Sequence, residues 1–225
     1  MKAFRIIIPA LFAAVVALSL VITPTSAAAA AARPTPVPVT QPAVIALDAV
    51  EIADLQYMRE EEKLARDVYL TLYDVWGVQI FQNISRSEQS HMDALLTLLN
   101  RYAIADPAIG NTVGEFTNPD LQTLYDQLVA TGSQSLADAL KVGGAIEEID
   151  ILDLQRAVAE TAKTDIQRVY ASLLNGSTNH LRSFVSTLAN QTGEVYAPQY
   201  MTADAYNAIV SGSTGRGSRG GRQGR

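Results

Sequence analysis

Glu88 and His91 stand three residues apart in the stretch SEQSHMDALLTLLNRY, residues 87–102. On a helix this spacing turns both side chains to one face, so a carboxylate oxygen and an imidazole nitrogen can reach the same ion. The chain has two histidines, and the second, His180, lies in NHLRSF. Glu62, Glu147 and the pair Ser177 and His180 recur in the same kind of setting, each interrupting an apolar 3–4 pattern. Three carboxylates and two imidazoles brought face to face repel or titrate unless something positive sits among them. No Lys or Arg falls on the central part of these patterns, so a metal ion is the simplest counterion. Imidazole with carboxylate suits Fe, Mn, Zn or Cu rather than Mg or Ca. The candidate metal ligands are therefore Glu62, Glu88, His91, Glu147 and His180, with Asp150 and Ser177 as additional candidates. No residue is singled out as catalytic.

The elements that must position these groups read as four long helices. The first covers about residues 47–76, with the stripe Leu55, Met58, Glu62, Ala65, Tyr69, Leu72, Trp76. Glu60 and Glu61 fall off that stripe and read as solvated or boundary acids. The second covers about 84–102 (Ile84, Glu88, His91, Leu95, Leu98, Tyr102). The third runs from about 135 to 161 (Leu136, Leu140, Gly144, Glu147, Ile151, Leu154, Val158), with Glu148 one position round and Asp150 at the edge of the face. The fourth covers about 164–189 (Ile166, Tyr170, Leu173, Ser177, His180, Phe184, Leu188). Its unbroken register argues against Ser177 capping a break, and Gly176 beside it opens space or bends the helix. Tyr69 and Tyr170 read as core tyrosines with bonded hydroxyls, with electron transfer to a nearby metal as the alternative. A Gly/Pro/Asn-rich loop follows the second helix. A short helix over 119–130 is expected after it, capped by Asn118 with Pro119 at its first position. Another short helix is expected after the cap residue Thr202.

The ends differ in composition from this middle. Residues 1–27 carry a basic start (Lys2, Arg5), an apolar run and a small-residue close, the pattern of an export signal cut near Ala27. The alternative is an uncleaved membrane anchor. Residues 28–45 are an Ala/Pro-rich linker. Residues 212–225 form a Gly/Arg tail expected to be disordered, with Arg216, Arg219, Arg222 and Arg225 at every third position. The absence of cysteine excludes disulfides, thiol catalysis and thiolate metal sites. The chain holds 17 basic and 23 acidic residues. Two of the basic ones lie in the leader and four in the tail, so residues 28–211 carry a formal charge of −12. That acidic body is a poor partner for nucleic acid, whereas the tail suits an anionic surface, with simple solubilisation of the chain as the alternative. Of three Asn-x-Ser/Thr sites, at Asn83, Asn175 and Asn190, Asn175 lies mid-helix and makes a poor glycan acceptor.

EKLARDVY (62–69) resembles the first-helix signature of rubrerythrin-type ferritin-like proteins. MREEEKLARDVY, SEQSHMDA, GEFTNPDLQTLYDQLVATGSQSL, GGAIEEIDILDL, NHLRSF and YAPQYMTADAYNAI together resemble the ferritin-like family catalogued as domain of unknown function 2202, over about residues 46–210. The resemblance implies an all-α, ferritin-like antiparallel four-helix bundle over 46–190, with a short extra helix between the second and third long helices. A C-terminal segment with a short helix follows over 191–211. By analogy it also implies a metal site. Ferritin-like di-metal bundles take one Glu from each of two helices and Glu-x-x-His from each of the other two. Here the fourth helix has Ser177 where the pattern asks for a glutamate, so five strong ligands remain. Two ions, one ion or none are all compatible with that set, with Asp150 leaning in as one compensation. Two function classes follow. One is an exported di-metal (Fe, or Mn or Zn) oxidoreductase acting on O2, peroxide or Fe(II). The other is a non-catalytic exported bundle with a structural or captured ion, or none, serving as a surface-binding module. A homodimer is compatible with either.

Overall fold

A computed structural model describes residues 46–212, and among these there are six helices and no strand. The expected leader 1–27, the linker up to residue 45 and the tail beyond Gly212 lie outside the described residues. No helix among the described residues is long and apolar enough to cross a membrane.

Local chemistry sets each helix boundary. Helix α1 (Ala49–Trp76) opens on a capping box. Asp48 accepts the Val50 and Glu51 amides, and the Glu51 carboxylate accepts the Asp48 amide. Such a cap contributes about 1 kcal/mol. The helix ends at Gly77, whose φ of 63° closes the last turn. Only Gly77 and Val78 separate it from α2 (Gln79–Arg101). That tight reversal lets α2 start five residues before the expected Ile84. The polar Gln79, Gln82 and Asn83 hide the extra turn in the sequence, although buried Phe81 continues the apolar stripe. Asn118 caps α3 (Pro119–Gly132) and Ser135 caps α4 (Leu136–Glu160). Helix α5 (Thr164–Thr192) runs unbroken through Gly176 and Ser177 to Gly193. Thr202 caps α6 (Ala203–Ser211).

The short connections make α1–α2 and α4–α5 antiparallel hairpins. Each packs along its own length, α1 also meets α4, and α2 meets α5. Helix α3 lies against α1 and α4, and α6 against α5. The core divides into two apolar clusters. One is built on Leu64, Val68, Tyr69, Phe81, Phe184 and Leu188, the other on Leu55, Met58, Leu95, Leu98, Leu154 and Leu173. Each such side chain contributes about 1.5–3 kcal/mol by leaving water. Between the clusters, the four stripes bring their polar members to one level of the bundle.

The expectation of solvated acids at Glu60 and Glu61 does not hold. Both are buried, at 3% and 4% exposure, as is every residue from Met58 to Ala65. The 103–118 loop and α3 cover the face of α1 that would otherwise meet water. Glu60 accepts the Thr117 and Asn118 amides. Lys63 donates to the Thr112 carbonyl and pairs with Asp67, which accepts the Gly114 amide. These charges hold the loop and face away from the polar centre.

Candidate metal centre

Each element delivers its ligand candidates at mid-helix, where the backbone is fully hydrogen-bonded and the rotamers are confined by packing. Glu62 comes from α1, Glu88 and His91 from α2, Glu147 and Asp150 from α4, Ser177 and His180 from α5. The five strong candidates converge as two triads. Glu62, Glu88 and His91 bring ligand atoms within 4.8 Å of one another, and so do Glu88, Glu147 and His180. Glu88 belongs to both. One of its oxygens lies 2.8 Å from His91 Nδ1 and the other 2.9 Å from His180 Nδ1. His91 Nδ1 is also 3.1 Å from Glu62, and His180 Nδ1 is 3.5 Å from Glu147. The rings stack with centroids 5.6 Å apart. Both imidazoles thus turn the same nitrogen inward.

Neighbouring groups fix these orientations. The His180 Nε2 sits 3.0 Å from the Ser87 hydroxyl. Tyr69 donates its hydroxyl to Glu147 at 2.6 Å, so its expected bonded state holds. The His91 ring lies against the backbone of Gly176, where a Cβ would come within 2.6 Å of Nε2. Gly176 therefore makes room for a candidate ligand. The Ser177 hydroxyl, with one proton to donate, lies within hydrogen-bonding distance of both Asp150 and the Leu173 carbonyl. Asp150 thus leans toward the position where the fourth helix lacks a carboxylate, but it joins neither triad. Tyr170 departs from expectation: its buried hydroxyl has no partner among the described residues.

The donor set fits a metal. Glu62 Oε1, Glu88 Oε1, Asp150 Oδ1 and His180 Nδ1 are buried without a hydrogen bond among the described residues. For Glu88 and His180 the two atoms face each other at 2.9 Å, yet their angles do not suit a hydrogen bond. Buried groups of this kind are costly unless paired or coordinated. Without a metal, protons must take up the strain. Burial opposes charge on His91 and His180, but the carboxylates around them outweigh it and lift the imidazoles to about 11 and about 10. Burial also opposes charge on Glu88, and the flanking imidazoles overcome it, holding the carboxyl at about 2. Glu62 is pushed up by burial and by Asp150, and Glu147 by burial and by Glu88. Asp150 rises to about 7 through burial and the charge of Glu147. The arrangement can hold a cation, and every proton named here is one a cation would displace.

Several contributing residues escaped the sequence reading. Ser87 holds His180, but a serine gives no sign of it in sequence, and the bonded hydroxyl expected of Tyr69 did not reveal Glu147 as its partner. Glu148, one position from Glu147, is fully buried. It accepts the Tyr196 hydroxyl and the Gln199, Tyr200 and Met201 amides, clamping the C-terminal segment.

Residues 51–213 match the family model described as an uncharacterized protein domain, DUF2202, and the chain belongs to that family. It is similar to the uncharacterized protein MJ0754 of Methanocaldococcus jannaschii, with 52% identity over 160 residues, covering 71% of this chain and 86% of that protein. The crystal structure of hypothetical protein MJ0754 superposes with a TM-score of 0.73 at 48% identity, covering 80% of this chain and 99% of that one.

Proposed function

We propose that this DUF2202 protein is a ferritin-like metal-binding protein with two ion positions that share Glu88. The observation behind this reading is the pair of buried triads, each with two carboxylates and one imidazole nitrogen, meeting at one glutamate. Glu62 and His91 would complete one position, Glu147 and His180 the other. His180 would keep its outer N–H on Ser87, which fixes the tautomer and ring orientation as such partners do at metal sites. Asp150, held by Ser177, leans toward the place of the carboxylate missing from the fourth helix without joining either triad. A pair of Fe or Mn ions in such a bundle supplies redox chemistry toward O2, peroxide or Fe(II). The chain's own part is to bury the ligands, exclude bulk water and keep Tyr69 hydrogen-bonded to Glu147. Together with the export pattern of residues 1–27, this supports reading the protein as an extracytoplasmic di-metal oxidoreductase.

Anaerobic loading of the metal-free protein with Fe(II), followed by addition of O2, tests the assignment. A new near-ultraviolet absorbance with stoichiometric O2 uptake is expected, abolished in Glu88→Ala. Tight metal binding without O2 uptake would assign the protein to metal capture instead.

A further inference from the structure

Glu61 is not accounted for by the centre. It is 4% exposed, and its Oε2 has no hydrogen-bond partner among the described residues. It faces Asp150, Asp153 and Glu62, and its carboxyl lies within hydrogen-bonding reach of the Asp153 carboxyl. Two carboxylates are both acceptors, so that contact lacks a donor unless a proton or a cation joins them. Asp150, 5% exposed, adds a second unpartnered oxygen, Oδ1, and it faces Glu62 of the centre. Asp150 and Asp153 share a face of α4 at i, i+3 spacing, and Glu61 meets them from α1.

This line of acids has an outer end. Asp153 is 25% exposed, and Arg156 links it to Asp54 and Glu160 at the surface. Asp54 lies seven residues before Glu61 on α1, about two turns or 10 Å. Asp54 and Glu160 also line a cavity of about 240 Å³, together with Asp48, Glu51, Tyr170 and the apolar Val50, Ala157 and Ile166. Partly exposed Asp153 and the buried, unpartnered oxygens of Glu61 and Asp150 therefore lie along the α1–α4 seam between solvent and Glu62.

We propose that Glu61, Asp150 and Asp153 form a loading path along which divalent cations pass from the surface at Asp153 to the centre. The inference rests on the metal-binding reading above. An all-oxygen set holds a hydrated divalent ion more loosely than carboxylate with imidazole, which suits transit. Aligned negative charge between low-dielectric walls also concentrates cations and speeds their arrival.

The test is Mn(II) uptake by the metal-free full chain, followed through loss of the free Mn(II) EPR signal after rapid mixing. Glu61→Gln and Asp153→Asn each remove one charge while keeping the shape. Uptake about tenfold slower is expected in either variant, with weaker dependence on ionic strength and unchanged ions per chain at equilibrium. Uptake at the wild-type rate overturns the path and leaves the centre standing. A lower equilibrium count in Glu61→Gln makes that residue a ligand and also overturns the path. If wild-type protein takes up no Mn(II), the centre itself falls, and the path with it.

Discussion

Glu88 is flanked by the inward nitrogens of both histidines, at 2.8 and 2.9 Å, and the other candidates divide between its two oxygens. The neighbouring Gly176 is as demanding as any ligand, because any side chain there collides with the His91 ring. Gly176→Ala should cost about 1–3 kcal/mol in urea denaturation and weaken metal binding by displacing His91. A variant with wild-type affinity would show that His91 is not needed. The protonation states give a direction for pH. In the metal-free protein the imidazoles are raised to about 11 and about 10, above the unfolded value of about 6.5. Their contribution to metal-free stability is fully present below about pH 6.5 and is lost as the pH rises through about 10 to 11. Glu62, Glu147 and Asp150 also hold protons at higher pH than ordinary carboxyls. Metal binding must expel these protons, so affinity should rise from about pH 6 to about pH 8 with measurable proton release. Calorimetry in buffers of different ionisation enthalpy checks this. Affinity that is flat or falling over that range would contradict it.

Elements were the most legible part of the sequence, because the 3–4 stripes and the caps Asn118 and Thr202 are local signals. The early start of α2 was not legible, since it depends on a two-residue reversal at Gly77 and Val78. The ligand candidates were legible because each stands out as a polar residue on an apolar stripe. Glu60, Glu61 and Glu148 were misread or passed over for the opposite reason. They lie off the stripes, and their burial comes from the loop, a neighbouring helix or the C-terminal segment, which no helical periodicity reports. Glu148 makes this concrete. It holds residues 196–201 by one hydroxyl and three amides inside the bundle wall. Glu148→Ala leaves those donors without an acceptor and should cost about 3 kcal/mol or more. Hydrogen exchange at the Gln199, Tyr200 and Met201 amides should accelerate well before global unfolding. Unchanged protection there would mean the segment is held by other contacts, such as the Arg182 guanidinium on the Ile209 carbonyl.

Across the whole molecule, two apolar clusters supply the stability and the polar band between them draws on it. A chain without cysteine has no covalent brace against that cost. A ligand that binds the folded state alone stabilises it by about 2.7 kcal/mol at a hundredfold excess over its Kd. The metal-loaded protein should therefore melt several degrees above the metal-free one, in a manner that depends on metal concentration. Glu62→Gln, which touches one triad, should retain part of that gain. The most direct test of the shared position is the number of ions per chain in wild-type protein and in Glu88→Gln, measured by elemental analysis after loading with Fe(II) or Mn(II) and removal of free metal. About two ions in the wild type and almost none in the variant is the expected result. A wild-type chain that retains no metal, or a variant that retains as much as the wild type, would contradict a centre built on Glu88.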